Sequence, residues 1–309
     1  MKIFKSIFNF YNKLSDIGKI LIFITFLLIV IVFFKSFAPN TKEGFILDDK
    51  VLYKEGNAVY DDFYANIYDY LVFSSIKNDY EIGTIVNSTN PTEKSVIADI
   101  GCGTGHHVSN ITAKNLNVIG IDISPSMIKK AKEEYPDSSF QVGDALDNTL
   151  FNMNSLTHVL CLYFTIYYFK DKRRFFDNCM DWLMPGGFLI IHLVDRETFD
   201  PILPPGNPLY IVSPQKYAKE RITKTKVSFT DFVYSANFDL DKNSNLAFFN
   251  EKFKFNDGRV RKQQQKLYME DTTTILNMAQ DCGFIMHAKV DLVKCAYENQ
   301  YLYVFYKPG

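Results

Sequence analysis

The chain has 309 residues, with 34 Lys and Arg against 35 Asp and Glu and a net charge of −1. That balance offers no general attraction to nucleic acid or anionic lipid, and a content of 47% hydrophobic and 22% charged residues excludes a disordered chain. The 5 cysteines, Cys102, Cys161, Cys179, Cys282 and Cys295, show neither C-x-x-C pairing nor a histidine at zinc spacing, so no metal site is expected and free thiols in a reducing compartment are.

At the N-terminus, residues 20–34 carry no charge and a single polar side chain, Thr25, between Lys19 and Lys35. A membrane span needs about 20 apolar residues. Snorkelling of the flanking lysines, with Phe37 and Ala38 included, makes up the length. Ahead of the run, Ile3, Phe4, Ile7, Phe8 and Tyr11 recur at near-helical spacing among Lys2, Lys5 and Lys13, a pattern suited to the membrane interface. Ser36-Phe37-Ala38 mimics a signal-peptidase site, but the long stretch before the apolar run and Pro39 after the cut favour an uncleaved anchor. The reading is a single-pass anchor over 1–37, followed by a polar linker over 38–55.

Tyr60, Tyr64 and Tyr68 then recur at i, i+4 and i+8, on one face of a helix that runs to Asp69. Residues 96–100 read as a buried strand that leaves Asp99 near its tip and runs into Gly101, Gly103 and Gly105. Glycines at alternate positions let the backbone turn sharply and bring its N–H groups against a ligand. A helical stretch from His106 follows at once. The strand over 117–121 ends on Asp122, an acid placed to accept both hydroxyls of a ribose and to repel a 2′-phosphate. Ser124 and Pro125 open a helix that reaches about Tyr135.

A strand over 139–142 leads into Gly143-Asp144-Ala145, and a further strand covers 157–162. A helix over about 171–184 stops at Pro185-Gly186-Gly187, and residues 188–193 form the next strand. From 195 to 270 the alternation fails: a Pro-rich loop gives way to short strand patterns, with a hairpin signal at Asn256-Asp257-Gly258-Arg259. It resumes with a helix over 271–281 and strands over 288–293 and 301–306. Strands separated by helices imply right-handed crossovers and a parallel sheet.

The glycine loop and the acids at three successive strand ends, in this order, resemble the class I S-adenosylmethionine (SAM) dependent methyltransferases over roughly residues 56–309. The resemblance implies an α/β fold, a doubly wound, seven-stranded, mostly parallel Rossmann-like sheet. To this the sequence adds an antiparallel β insert at about 205–270, after the fifth strand, and the N-terminal hydrophobic helix. It also implies SAM as cofactor, with Gly101, Gly103 and Gly105 against its methionine part and Asp99 ordering the loop. Asp122 would take the ribose, and Asp144 with the Ala145 N–H the adenine. Helices like that of Tyr68 close over the cofactor in small-molecule methyltransferases, though an ordinary core stripe reads the same way. Cofactor supply places the catalytic domain on the cytosolic side of the membrane.

The family places catalytic groups after the fourth strand, where Cys161 to Tyr168 form an apolar, hydroxyl-rich wall. Tyr163 and Tyr167 are the candidates there. His192 is a candidate general base or a satisfied core histidine. His106 and His107 are candidate contacts to the SAM carboxylate, and Asp195 and Arg196 stand where a substrate would pass. Cys102 and Trp182 read as packing. The D/N-P-P-Y/F motif of DNA amino-methylation and a Lys-Asp-Lys-Glu arrangement are absent, so no nucleic-acid partner is expected. The function read from this is methyl transfer to a small-molecule acceptor, an amine or similar metabolite. A lipid or membrane-protein acceptor and a catalytically silent SAM-binding scaffold are the alternatives.

Overall fold

The computed structural model describes residues 15, 17–19, 24, 25 and 30, then 51–206 and 214–309. The chain divides into two units, Met1–Asp48 and Asp49–Gly309. The anchor expected over 1–37, and the linker as far as residue 50, lie almost wholly outside the described residues. Among those that are described, no helix is long and apolar enough to cross a membrane. The end of the expected linker needs correction: Val51–Glu55 is a strand, β1.

The core of the second unit alternates as expected. It runs α1 (Asp62–Val72), α2 (Ser75–Thr89), β2 (Val96–Ile100), α3 (His106–Thr112), β3 (Asn117–Asp122), α4 (Pro125–Glu134), β4 (Ser139–Val142), β5 (Leu156–Cys161), α5 (Lys172–Trp182) and β6 (Leu183–Val194). Then come β7 (Lys224–Ser228), β8 (Phe232–Asp241), β9 (Leu246–Phe255), β10 (Val260–Tyr268), α6 (Thr272–Asp281), β11 (Ile285–Asp291) and β12 (Gln300–Tyr306). Side-chain caps set the helix starts: Asp61 accepts from the Tyr64 N–H, Ser74 from Lys77 and Ser124 from Met127. Tyr60 therefore precedes α1 rather than lying on it.

Seven strands form one sheet in the order β11-β12-β6-β5-β2-β3-β4. β2 to β6 are parallel, and β12 enters antiparallel between β6 and β11. Adjacent residues on its central strands go to opposite faces, as a period of two requires. Ala98, Val159 and Ile191 join Phe175, Phe176 and Trp182 on one face, while Ile97, Leu160 and Ile190 join Ile82, Val108 and Ile128 on the other. Each large apolar side chain among them contributes about 1.5–3 kcal/mol of burial. β6 starts earlier than the sequence suggests, because Leu183 already pairs with Leu156 before Pro185.

The second sheet has five strands, in the order β1-β10-β9-β8-β7. β7 to β10 are the expected antiparallel insert, and β1 joins parallel to β10 with Val51 opposite Val260. Phe232, Tyr234 and Phe253 from its inner face pack with Tyr64, Ala65 and Leu71 of α1 in a third core. α1 is thereby held between the insert and the glycine loop.

Candidate active site

All three loop glycines are left-handed, at φ 71° for Gly101, 55° for Gly103 and 94° for Gly105. Space adds to conformation at two of them. A Cβ on Gly101 would lie 2.4 Å from Thr165 Oγ1, and one on Gly105 would lie 2.6 Å from Phe140 Cζ. At Gly103 the nearest atom is Tyr68 Cε1 at 3.7 Å, so the backbone there is open to a ligand. The Gly103 N–H donates to Asp122 Oδ2 at 3.0 Å, and the Ser124 N–H donates to Oδ1 at 2.8 Å. Each Asp122 oxygen keeps a further lone pair, which is what a vicinal diol needs.

Asp144 is exposed and accepts the Leu146 N–H at 2.9 Å, while Ala145 is buried with its carbonyl accepting from Asn178 Nδ2. Asp99 is buried beneath the loop. Burial pushes its carboxyl up to about 7, against the His107 ring and with Glu81 and Asp122 adding to the rise. These groups line one cleft of about 420 Å³, and they fit an adenosyl group: a diol at Asp122, an amine at Asp144 and close backbone at Gly103.

α1 is fastened to the loop through Asp69. Its carboxylate accepts from Thr104 Oγ1 at 2.6 Å and stands 3.0 Å from His106 Nε2, while Phe73 stacks on the His106 ring at 3.6 Å. The other His106 nitrogen meets the Tyr135 hydroxyl at 2.8 Å. Above the loop, Tyr60, Tyr64, Tyr68 and Tyr168 form an edge-to-face cluster, with centroids 5.6 Å apart for Tyr60–Tyr64, 5.8 Å for Tyr64–Tyr68 and 6.0 Å for Tyr60–Tyr168. All four line the cleft, joined from the insert by Phe238, Phe249, Gln265 and Leu267. In the register of the sheet Phe249 stands opposite both Phe238 and Gln265, so one row of side chains faces the site.

A buried charge cluster sits beside the loop. Lys77 Nζ is 3.6 Å from Glu81 Oε1 and 3.7 Å from the centroid of the Tyr163 ring, and His107 Nε2 is 3.0 Å from Glu81 Oε2. Burial alone would push the Glu81 carboxyl up, but Lys77 and His107 bring it down to about 2. Burial lowers the Lys77 ammonium, with Glu81 opposing. Lys77 and His107 both line the cleft. An i,i+4 Lys–Glu pair reads in sequence as a solvated helix face, which is why this cluster is not legible there.

The residues named from the sequence separate. Gly101, Gly103, Asp99, Asp122, Asp144, Ala145, Tyr68 and Tyr163 come together around the cleft, as do His106 and His107, whereas Gly105 packs against Phe140 and Ala131 and does not line it. Tyr167 does not. It is buried in the core, and its hydroxyl accepts the Val194 N–H at 2.9 Å. The tight turn over Thr165–Tyr168 sends Tyr167 inward and leaves its neighbour Tyr168 facing the cleft. His192 is likewise corrected: it is fully buried, with Nδ1 on the Tyr163 carbonyl and Nε2 3.0 Å from Gln300 Oε1. Burial, with Lys77 nearby, brings it down to about 3, so it is a neutral core histidine rather than a base. Arg196 is turned away onto Asn245 and the Met269 carbonyl, and Asp195 caps the turn at Glu197.

Residues 98–191 match the family described as a methyltransferase domain. Over 136 residues the chain is 27% identical to dTDP-3-amino-3,4,6-trideoxy-alpha-D-glucopyranose N,N-dimethyltransferase of Streptomyces venezuelae, covering 41% of this chain and 56% of that relative. The chain therefore spans little more than half the length of this curated relative. In fold it resembles a SAM-dependent methyltransferase from Clostridium acetobutylicum, with a TM-score of 0.60 at 16% identity over 80% of this chain and 99% of the other. It also resembles the SAM-bound amino pentose methyltransferase of Micromonospora echinaspora, involved in calicheamicin biosynthesis, with a TM-score of 0.55 at 17% identity over 76% and 92% of the two chains. The matched domain spans β2 to β6, the strands whose ends carry the glycine loop and Asp122, so the chain carries a methyltransferase domain, and SAM is the cofactor that its loop and acids fit.

Proposed function

We propose that the protein methylates the amine of a small polar molecule, of which an amino sugar is the best model. The observation that carries this reading is the cleft itself: the glycine loop and Asp122 on one side, and a wall of tyrosines and Gln265 from the insert on the other. Two relatives named for amino-sugar acceptors support the choice. SAM, when bound, supplies an already activated methyl group. The chain then has to bind and align the acceptor and keep water out. Asp122 holds the ribose diol and Asp144 the adenine edge, while the backbone N–H groups of the glycine loop face the methionine part. α1, clasped through Asp69, covers the cleft.

Titration calorimetry of the full chain with SAM and S-adenosylhomocysteine tests the cofactor half. Asp122→Ala should weaken both by at least about tenfold, near 1.4 kcal/mol for a lost charged hydrogen bond. Labelled methyl transfer to amino sugars, beside the matching hydroxyl sugars and a lipid extract, tests the acceptor half. Label entering lipid alone, or binding without turnover on any of them, sinks the amine reading.

The single-pass anchor is proposed from the uncharged run over 20–34, and the cytosol-facing catalytic unit from the supply of SAM. Flotation of the full chain with vesicles checks it, and a chain that stays at the bottom of the gradient removes the tether.

A further inference from the structure

Glu251 on β9 is a buried carboxylate held entirely by neutral donors. Its oxygens accept from the Tyr64 hydroxyl at 3.1 Å, Tyr234 at 2.8 Å, Gln263 Nε2 at 2.7 Å and Gln265 Nε2 at 2.8 Å. Among the described residues no lysine, arginine or histidine pairs with it. The nearby Arg261 is engaged with both oxygens of Asp61, the Val59 carbonyl and Gln263 Oε1. An acid buried without a cation is costly, and chains keep one where its charge serves a ligand. Burial pushes the carboxyl up, and its four donors pull the other way.

The hydrogen bonds lead from this acid to the cleft. Glu251 takes the amide nitrogen of Gln265, so the amide oxygen faces Tyr60, whose hydroxyl donates to it at 3.1 Å, and Tyr168, which also donates to it. The Tyr60 hydroxyl is 2.7 Å from that of Tyr168. Tyr64 touches Glu251 with its hydroxyl and lines the cleft. Ring faces attract cations, and an anion behind them strengthens the attraction where water is excluded. The cleft's own basic groups are engaged elsewhere: Lys77 and His107 with Glu81, and His106 with Asp69.

We infer that Tyr60, Tyr64, Tyr168 and Gln265, with Glu251 behind them, form a cation site that receives the acceptor as an ammonium and so selects amines over neutral isosteres; the bound ammonium releases one proton to solvent before its freed lone pair attacks the methyl group. This rests on the methyltransferase reading of the same cleft. It adds residues from the insert as the specificity-determining part.

The test uses full-length protein saturated with S-adenosylhomocysteine, titrated with choline and with dimethylbutanol, its neutral carbon isostere. Choline should bind about tenfold more tightly than the isostere. Glu251→Gln keeps shape and removes charge, and it should cut that preference to below about threefold while S-adenosylhomocysteine affinity stays within about twofold. Tyr168→Leu, which removes one ring of the wall, should weaken choline by about fivefold and leave the isostere nearly unchanged. Equal affinity for the two probes in the unaltered protein overturns the inference, as does a full preference retained in Glu251→Gln. If S-adenosylhomocysteine itself fails to bind, it is the methyltransferase reading that falls, and choline preference without it still decides the cation site.

Discussion

The seven-stranded sheet meets the cleft with the ends of its strands, whereas the five-stranded sheet meets it with a face, and the two bury charge differently. At the strand ends, Asp99, Asp122 and the glycine backbone are presented one by one, each placed by its own turn. On the insert, Phe238, Phe249 and Gln265 reach the cleft as a row across three strands, backed by Glu251, Gln263 and Arg261 in a connected network. A site made from strand ends tolerates change in one position without moving the others. A site made from a face moves as a unit, since each buried polar group satisfies the next.

That contrast gives an ordered set of tests. The largest effect should come from Asp99, whose carboxyl rises from its ordinary 3.8 to about 7 on burial. The folded state then binds more protons than the unfolded one between those values, so stability should fall as pH rises from about 4 to about 7. The loss is on the order of 4 kcal/mol at about 1.36 kcal/mol per pH unit. Asp99→Asn should flatten that slope in denaturant melts at several pH values, and an unchanged slope would place the proton elsewhere.

Glu251→Leu leaves four buried donors unsatisfied and should cost about 3 kcal/mol of unfolding free energy, while cofactor affinity moves far less. A variant that loses cofactor binding in proportion to stability would join the two halves that the comparison separates. Gly103→Val carries the opposite signature. Gly103 lines the cleft and a Cβ there would meet only Tyr68 at 3.7 Å, so the new side chain enters ligand space and calorimetry should find SAM affinity down by about a hundredfold. Smallest is Asp69→Asn, which loosens the clasp on Thr104 and His106 and should weaken the cofactor by about threefold. Closure of α1 is not set by this clasp if affinity and its release rate both stay put.

Much of the cofactor half is legible in the amino-acid sequence. The acid-to-glycine spacing over 99–105, Asp122 at a strand tip and the Ser124-Pro125 helix start are all local events. Adjacent residues decide them, because backbone conformation and caps act within one turn. The same locality fails for Tyr167 and Tyr168. Both are aromatic and hydroxylated, and a tight turn alone sends one into the core and the other into the cleft. His192 misleads for a related reason: a histidine near a strand end reads as a base until Gln300 and the Tyr163 carbonyl are seen to fill both its nitrogens.

The sequence by itself determined that a parallel sheet ends in a nucleotide-type loop and that an antiparallel insert follows β6, since period and turn chemistry are written in neighbouring residues. Only the tertiary structure decided what faces what. It brought Val51 beside Val260, buried Lys77 on Glu81, and set Glu251 behind Gln265 and Tyr64. Those adjacencies depend on how the chain folds back on itself, and their energy comes from pairing and desolvation that no local pattern records.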